Sequence, residues 1–217
     1  MAFMKKYLFP LILFAFTYLL GVIFYEQIKI HFNKEITTTI LKLALGIAFY
    51  IYTIKFIKNR RKLFKITQIR KNEIWLFLFL VTLFIINNYF ISVYSSKTEY
   101  MKTKVIGIVI LNYILNSFFE EFAYRGFIQS YVNQSSEKIR TPISQGNLFA
   151  SILMIIPHLG FLTIMDTAFA ITSLILVVIF SLILGYLKDN GMSIWILIII
   201  HTLINFIHLI INIEHYI

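Results

Sequence analysis

The chain contains seven apolar segments, each close to the length that crosses a bilayer, and together they occupy most of its 217 residues. A transmembrane helix needs about 20 consecutive apolar residues, because its backbone polar groups must be satisfied within the segment. Hydrophobic residues make up 59% of the chain, and the mean hydropathy is +0.81. The sequence therefore predicts an all-α fold, a polytopic transmembrane helical bundle of about seven helices. The segments run roughly over 7–25, 38–57, 74–95, 105–128, 147–165, 168–187 and 192–213.

Cysteine is absent from the chain. This excludes a disulfide framework, a thiolate nucleophile and a Cys-ligated metal site, so any metal ligands must be histidine or carboxylate. The residues outside the apolar segments form no soluble domain of ordinary size and no Pro/Gly/Ser-rich linker. We therefore expect one integral domain. Within it, residues 1–104 supply the N-terminal helices and a basic loop at 58–73, and residues 105–217 carry the motifs that suggest chemistry.

The basic loop between the second and third segments predicts the orientation of the protein. Lysine and arginine are enriched in cytoplasmic loops, so we expect loop 58–73 to face the cytoplasm, with the N-terminus inside and the C-terminus outside. The formal net charge of +10 is then a topology signal, and nucleic acid is not an expected partner because no soluble basic face is visible. The basic residues of this loop are Lys58, Arg60, Arg61, Lys62, Lys65, Arg70 and Lys71.

The same orientation predicts the side of the membrane on which each remaining charged loop lies. The loop with Lys97, Lys102 and Lys104 is then outside the cell. Trp75 and Trp195 fall near the inner membrane surface, where interfacial aromatic residues are common. The other residues that it places on the cytoplasmic side are Lys5, Lys6, Lys138, Arg140 and Lys188.

Two adjacent carboxylates, Glu120 and Glu121, lie with Arg125 in the fourth apolar segment. Ionisable groups inside a membrane cost on the order of 2.5 to 3.5 kcal/mol each, so they are usually retained for a pathway, a partner or chemistry. Asn112, Asn116 and Glu120 are spaced four apart and predict a polar stripe that faces the bundle. Glu121 and Arg125 have the spacing of a helical ion pair. The alternative is a purely structural ion-pair cluster at the membrane interface.

Two later segments place histidine within apolar sequence. His158 follows Pro157, which cannot donate a backbone hydrogen bond and tends to kink a helix near a polar site. His201 and Asn205 are four residues apart and share one face of the last segment. The alternative role for each is a hydrogen bond between packed helices.

The other histidines have weaker signals. His208 and Asn212 extend the stripe of the last segment, and we interpret His208 as a residue that bridges helices. His31 and His215 lie in or near exposed ends, and we assign them no role.

Together these elements resemble the family of intramembrane proteases that includes the CAAX prenyl endopeptidases of the Rce1 type and the bacterial CPBP or Abi proteins. The family pattern is E-E-x-x-x-R, then F-x-x-x-H, then H-x-x-x-N or H-x-x-x-D, on separate helices. The resemblance covers roughly residues 105–213, with Met154 where the family usually has Phe and with Pro157 as an unusual neighbour. The residues that match are Glu120, Glu121, Arg125, His158, His201 and Asn205.

The resemblance implies hydrolysis of a peptide bond in a water-filled cavity, which we expect to open toward the cytoplasm. A carboxylate beside a histidine can deprotonate water, so we expect Glu120 to act as general base with help from His158. His201 and Asn205 can donate hydrogen bonds to the developing oxyanion. Glu121 and Arg125 would hold the site in shape.

The resemblance also implies a metalloprotease. Glu120, His158 and His201 form a ligand set that suits one divalent metal, Zn²⁺ in particular. The H-E-x-x-H motif of helical zinc proteases is absent, and the same residues can act without a metal as base and oxyanion donors. Both versions stay open at this point.

The biological context follows from composition and resemblance. A chain rich in Lys, Ile, Asn and Phe is typical of a low-GC bacterium, so we expect a bacterial cell-membrane protein that cleaves a peptide or a membrane-protein substrate. Self-immunity to bacteriocins and processing of signalling peptides are the leading contexts. One alternative is a non-enzymatic immunity or scaffold protein that binds a partner. Another is a small transporter, although no pair of Gly/Pro-interrupted helices marks an internal repeat.

Overall fold

The computed structural model describes residues 2–95, 106–135 and 142–213, with side chains from Lys5 onward. Every regular element in these ranges is helical. The sequence predictions for Lys97, Lys102, Lys104, Lys138, Arg140 and His215 lie outside the described residues. The elements are α1 Ala2–Ile28, α2 Lys34–Phe56, α3 Arg60–Phe64, α4 Lys71–Tyr94, α5 Ile106–Glu120, a π-helical segment Glu121–Gln129, α6 Ser130–Gln134, α7 Gln145–His158, α8 Phe161–Ile164, α9 Thr167–Asp189 and α10 Ile194–Ile211.

Seven stretches of the described chain are long and apolar enough to cross a membrane. This confirms the all-α bundle with about seven transmembrane helices. Polar residues set where several of them begin. The side chains of Asn33 and Ser144 accept hydrogen bonds from the backbone N–H groups of Ile36 at 2.9 Å and Asn147 at 3.0 Å. Such caps satisfy N–H groups that have no partner inside the helix.

The fourth span is longer than the sequence predicted. It begins at Ile106 and continues through the π-helical segment to Gln134, whereas the apolar pattern ended near residue 128. Buried donors in the extension find acceptors inside the bundle: Gln129 Nε2 donates to the Gly185 carbonyl at 2.8 Å, and Ser130 Oγ donates to the Arg125 carbonyl at 2.8 Å. Glu120 and Glu121 therefore lie near the middle of the span rather than toward one end.

Residues that join the helices show which loops share an end of the bundle. Lys6 Nζ donates to Gln145 Oε1 at 2.5 Å, and the Lys58 backbone N–H donates to Gln134 Oε1 at 3.2 Å. We call this the basic end, because it carries the exposed cations of loop 58–73. Further contacts at this end run from Thr67 to Gly191 and from Arg70 to Asn190.

The opposite end contains the loops that follow α4 and α8. Ser95 Oγ there donates to Asp166 Oδ2 at 3.0 Å. The spans therefore alternate in direction between the two ends, as the apolar pattern required.

The centre of the bundle is the π-helical segment, of which all nine residues are buried. It packs against α2, α7, α9 and α10. The predicted polar stripe on α5 leads into it and faces the bundle. Asn112 Nδ2 donates to Thr39 Oγ1 at 2.7 Å, and Asn116 Nδ2 donates to Glu120 Oε1 at 2.7 Å. The expectation that this stripe avoids lipid is confirmed.

Candidate active site

The two adjacent glutamates occupy the junction of two helix types. Glu120 ends α5, and Glu121 begins the π-helical segment. A π-helical turn contains an additional residue compared with an α-helical turn, and such turns occur frequently at functional sites. Glu120 is 6% exposed and Glu121 is fully buried. Each carboxylate must therefore be compensated by groups of the protein.

His201 of α10 lies between these carboxylates. Its Nδ1 lies 2.8 Å from Glu121 Oε1, and its Nε2 lies 3.6 Å from Glu120 Oε2. A carboxylate accepts a hydrogen bond, so Nδ1 carries the proton when Glu121 is ionised. The ring is held further by an edge-to-face contact with Phe180, with centroids 4.8 Å apart. Its Nε2 is consequently the nitrogen that faces Glu120.

Arg125 lies behind the acidic pair and is fully buried. Its Nε lies 3.8 Å from Glu121 Oε2. One terminal nitrogen, Nη2, donates to the Ser181 carbonyl at 3.1 Å and to Ser181 Oγ at 3.0 Å. The expected pairing of Glu121 with Arg125 is present. The contacts of Arg125 with Ser181 join the π-helical segment to α9.

Met154, which stands where the family usually has phenylalanine, contacts the same guanidinium. Its Sδ lies 3.6 Å from both terminal nitrogens of Arg125. A thioether sulfur is a weak acceptor. The methionine therefore gives Arg125 a polarisable neighbour in place of an aromatic ring.

A chain of hydroxyl and amide groups continues the network. Ser181 Oγ donates to Ser151 Oγ at 2.9 Å, and Ser151 Oγ donates to Asn147 Oδ1 at 3.2 Å. Asn147 Nδ2 in turn donates to the Leu182 carbonyl at 2.9 Å. This network joins α7 to α9 and fixes the position of Ser181, which accepts hydrogen bonds from Arg125.

His158 is the last residue of α7, where Pro157 stands in the final turn. Its Nδ1 lies 2.7 Å from the Met154 carbonyl. A carbonyl only accepts, so Nδ1 carries the proton and the Nε2 of neutral His158 is an acceptor. The helix ends here, and α8 follows after two residues. The predicted disturbance of the helix near His158 is confirmed.

Asn205 lies one turn after His201 on α10. Its Nδ2 donates to Ser117 Oγ at 3.1 Å. An amide nitrogen carries two hydrogens, so this contact uses one of them. The side chain is thereby fixed against α5.

A cavity of about 490 Å³ lies beside these residues. Glu120, His158, His201 and Asn205 line it, whereas Glu121 and Arg125 do not. The structure therefore divides the six predicted residues into four that reach the cavity and a buried ion pair behind them. A cavity of this size is typical of sites that hold small ligands or short peptide segments.

The cavity lies on the far side of Glu120 from the basic end. Ile91, Tyr113 and Met165 line it. Ile91 and Tyr113 belong to the halves of their spans that approach the opposite end, and Met165 lies in the connection between α8 and α9 at that end. We expected the cavity to open on the side of the basic loop, toward the cytoplasm. The buried residues 121–129 lie between Glu120 and the basic end and none of them lines the cavity. The opening toward the cytoplasm stays a prediction.

Several residues that line the cavity were not predicted from the sequence, and three of them carry charge or amide groups. Lys42 of α2 lines the cavity and lies close enough to Glu120 to interact with its charge. Asn87 and Asn88 of α4 line it as well. The available signal was polarity inside a membrane segment, since a lysine or paired asparagines there are costly unless they face a cavity or a partner.

Glu120, His158 and His201, the predicted metal ligands, do not form a three-ligand site. Among the described residues, no group of three His, Asp or Glu side chains is arranged to hold a metal ion. In each histidine Nδ1 is engaged, by the Met154 carbonyl in His158 and by Glu121 in His201, which leaves Nε2 as the nitrogen available to a metal. Glu120, His158 and His201 are nevertheless not grouped closely enough to share one ion in this arrangement, and metal dependence stays a prediction.

Comparison with known proteins places the cavity in a family context. Residues 102–207 match the family model described as Type II CAAX prenyl endopeptidase Rce1-like. Neither the curated proteins nor the solved structures include a significant match to the chain. The match spans all six residues described above and the helices that carry them. Residues 102–207 thus form an Rce1-like domain of the CAAX-protease family, in a chain with seven candidate membrane spans.

Proposed function

We propose that this protein is an intramembrane endopeptidase that hydrolyses a peptide bond with water activated by Glu120. One observation carries the proposal: Glu120 Oε2 lies 3.6 Å from His201 Nε2, and both residues line a cavity within the membrane-spanning bundle. Glu120 Oε2 is buried and has no hydrogen-bond partner among the described residues. A buried acceptor without a partner is costly, and a bound water would satisfy it.

Glu120 is the general base in this mechanism. Asn116 Nδ2 holds one carboxylate oxygen at 2.7 Å, which orients the other oxygen toward the cavity. Glu120 removes a proton from water, and the hydroxide attacks the carbonyl carbon of the scissile bond. Glu120 then delivers that proton to the departing amine, so the carboxylate is regenerated when the two fragments leave.

His158 assists at the water. Because its Nδ1–H is bound to the Met154 carbonyl, its Nε2 is an acceptor that faces the same cavity. It can accept a hydrogen bond from the attacking water while Glu120 accepts the other. This positions the lone pair of water for attack.

His201 and Asn205 stabilise the oxyanion. Asn205 keeps one amide hydrogen after its contact with Ser117. His201 donates from Nδ1 to Glu121, so donation from Nε2 requires the imidazolium form. The carboxylates of Glu120 and Glu121 lie beside that ring, and Arg125 lies beside Glu121. If His201 is protonated, the two negative and two positive charges of this group sum to zero. Preorganised donors of this kind account for about 10²–10³ in rate each.

The substrate is a peptide or a membrane protein, and the setting is the cell membrane of a bacterium. We propose self-immunity to a bacteriocin or maturation of a signalling peptide as the process that this cleavage serves. The family match and the seven spans support an intramembrane peptidase in general. The choice between these settings is part of the proposal.

The test is cleavage by purified protein in proteoliposomes, with a peptide library read by mass spectrometry in ¹⁸O-labelled water. Wild type is expected to produce fragments whose new carboxyl termini carry ¹⁸O. Glu120→Gln is expected to produce none, and Glu26→Gln, which changes an exposed glutamate of α1, is expected to match wild type. Equal fragment profiles in wild type and Glu120→Gln would instead favour the non-enzymatic scaffold.

A further inference from the structure

The position of the cavity relative to the charged loops predicts the side of the membrane from which substrate arrives. The exposed cations Arg60, Arg61, Lys62 and Lys65 lie at the basic end. At the opposite end, Lys29 forms an ion pair with Glu26, and Lys34 is followed directly by Glu35. Lys97, Lys102 and Lys104 belong to the loop of that end, outside the described residues. The positive-inside rule still places the basic end in the cytoplasm, because loop 58–73 is the densest cluster.

The cavity extends away from that end. Asn88 lies about 25 Å along α4 from its start at the basic end, at 1.5 Å per residue. Tyr113 lies about 30 Å from the basic end of its span on the same scale. Both residues line the cavity. The cavity therefore lies in the half of the bundle remote from the basic end.

A buried segment separates the cavity from the basic end. Phe122, Tyr124, Arg125 and Phe127 of the π-helical segment are each 0% exposed. None of them lines the cavity. A substrate that reaches Glu120 from the cytoplasm would have to displace this packed segment.

The outer half of the cavity is polar. Asn87 Nδ2 donates to Ser173 Oγ at 3.2 Å, and Asn88 Oδ1 lies 2.5 Å from His208 Nδ1. All four residues line the cavity. Amide and hydroxyl groups match the donors and acceptors of a polypeptide main chain better than they match an acyl chain. The lining is thus suited to an extended peptide segment.

From these observations we infer that the substrate is a polypeptide segment on the extracytoplasmic side, either a free peptide outside the cell or the outer part of a membrane protein, and that it enters the cavity between α4, α8 and α9. This inference rests on the proposed peptidase activity for its chemistry, but its geometry does not depend on that activity.

The absence of cysteine from the chain makes a direct test possible. Three single-cysteine variants report the two ends: Met165→Cys at the cavity mouth, Thr163→Cys on the exposed surface of the same end, and Lys65→Cys at the basic end. Each is labelled with a membrane-impermeant maleimide in intact cells and again after permeabilisation. We expect Met165→Cys and Thr163→Cys to label in intact cells, and Lys65→Cys only after permeabilisation.

A second readout links the side to function. Maleimide added to intact cells is expected to abolish fragment formation by Met165→Cys and to leave that of Thr163→Cys unchanged, since only the first blocks the cavity. Labelling of Met165→Cys or Thr163→Cys only after permeabilisation would overturn the inference. If no variant and no wild type produced fragments, the proposed activity would fail, while the labelling pattern would still decide the side.

Discussion

His201 Nδ1 lies 2.8 Å from Glu121 Oε1, and this contact gives the two adjacent glutamates different roles. Glu121 is fully buried between His201 and Arg125, whereas Glu120 lines the cavity and faces the other nitrogen of the same ring. The neighbours in sequence therefore differ in environment. One carboxylate contacts the ring and the guanidinium, and the other lines the cavity.

Replacement of each glutamate by glutamine separates these roles. Glu120→Gln keeps an oxygen that accepts from Asn116, so we expect loss of cleavage with little change in thermal stability. Glu121→Gln leaves buried Arg125 without its carboxylate, so we expect loss of cleavage together with a destabilisation of about 3–5 kcal/mol. Thermal unfolding in detergent, followed by tryptophan fluorescence, measures the difference. Equal unfolding temperatures for the two variants would contradict the assigned roles.

Arg125→Lys tests the geometry of the buried cation. Lysine keeps the charge but cannot reproduce the paired contacts of the guanidinium with Ser181 and its approach to Glu121. We expect a destabilisation of about 1.5–3 kcal/mol, the range for hydrogen bonds to charged groups. The matched control is Arg60→Lys at the exposed basic end, which should change stability by about 0.5 kcal/mol or less. If Arg125→Lys left the stability unchanged, the positive charge at this position would be sufficient without the geometry of the guanidinium.

Lys42→Met removes the cation that lines the cavity near Glu120. We expect kcat/KM to fall by about tenfold or more, which corresponds to ~1.4 kcal/mol of lost transition-state stabilisation. Lys55→Met is the control, because Lys55 lies on the same helix but is exposed and does not line the cavity. Kinetics with a fluorogenic peptide identified in the cleavage screen measure the effect. Identical kcat/KM values for the two variants would remove Lys42 from the site.

Chelation tests the metal. Since Glu120, His158 and His201 do not form a three-ligand group among the described residues, we expect cleavage to persist after treatment with EDTA and with 1,10-phenanthroline. The measurement is the rate of peptide cleavage before and after chelation, with metal analysis of the purified protein. If chelation abolished activity and Zn²⁺ restored it, the prediction would be contradicted. His158 would then have to move toward Glu120 and His201 to complete a metal site.

Gly185→Ala tests the close approach of α7 and α9. A Cβ at Gly185 would collide with the side chain of Asn147, whose amide is already bound to the Leu182 carbonyl. We expect a destabilisation of about 1–3 kcal/mol from overpacking. Gly107→Ala is the control, since a Cβ there meets nothing within 4 Å, and it should gain up to about 1 kcal/mol of helix propensity. Unfolding temperatures of the two variants are compared, and equal values would argue against tight packing.

The local features were accessible from sequence because they depend on short spacings. The spans follow from apolar length, and the stripe of Asn112, Asn116 and Glu120 follows from helical periodicity. The pairing of Glu121 with Arg125 follows from a spacing of four residues, even though the segment is π-helical. The π-helical form itself has no comparable signal, because buried contacts of Gln129 and Ser130 support it.

What the sequence determined by itself is the class of the protein, its number of spans and the residues able to carry chemistry, since bilayer thickness and helix pitch act on neighbouring residues. Tertiary structure alone decided three matters: that His201 lies between Glu120 and Glu121, that Lys42 and Asn88 share their cavity, and that this cavity faces away from the basic end. Each depends on how distant helices pack, and packing is set by the shapes of buried side chains along the whole bundle rather than by any local pattern.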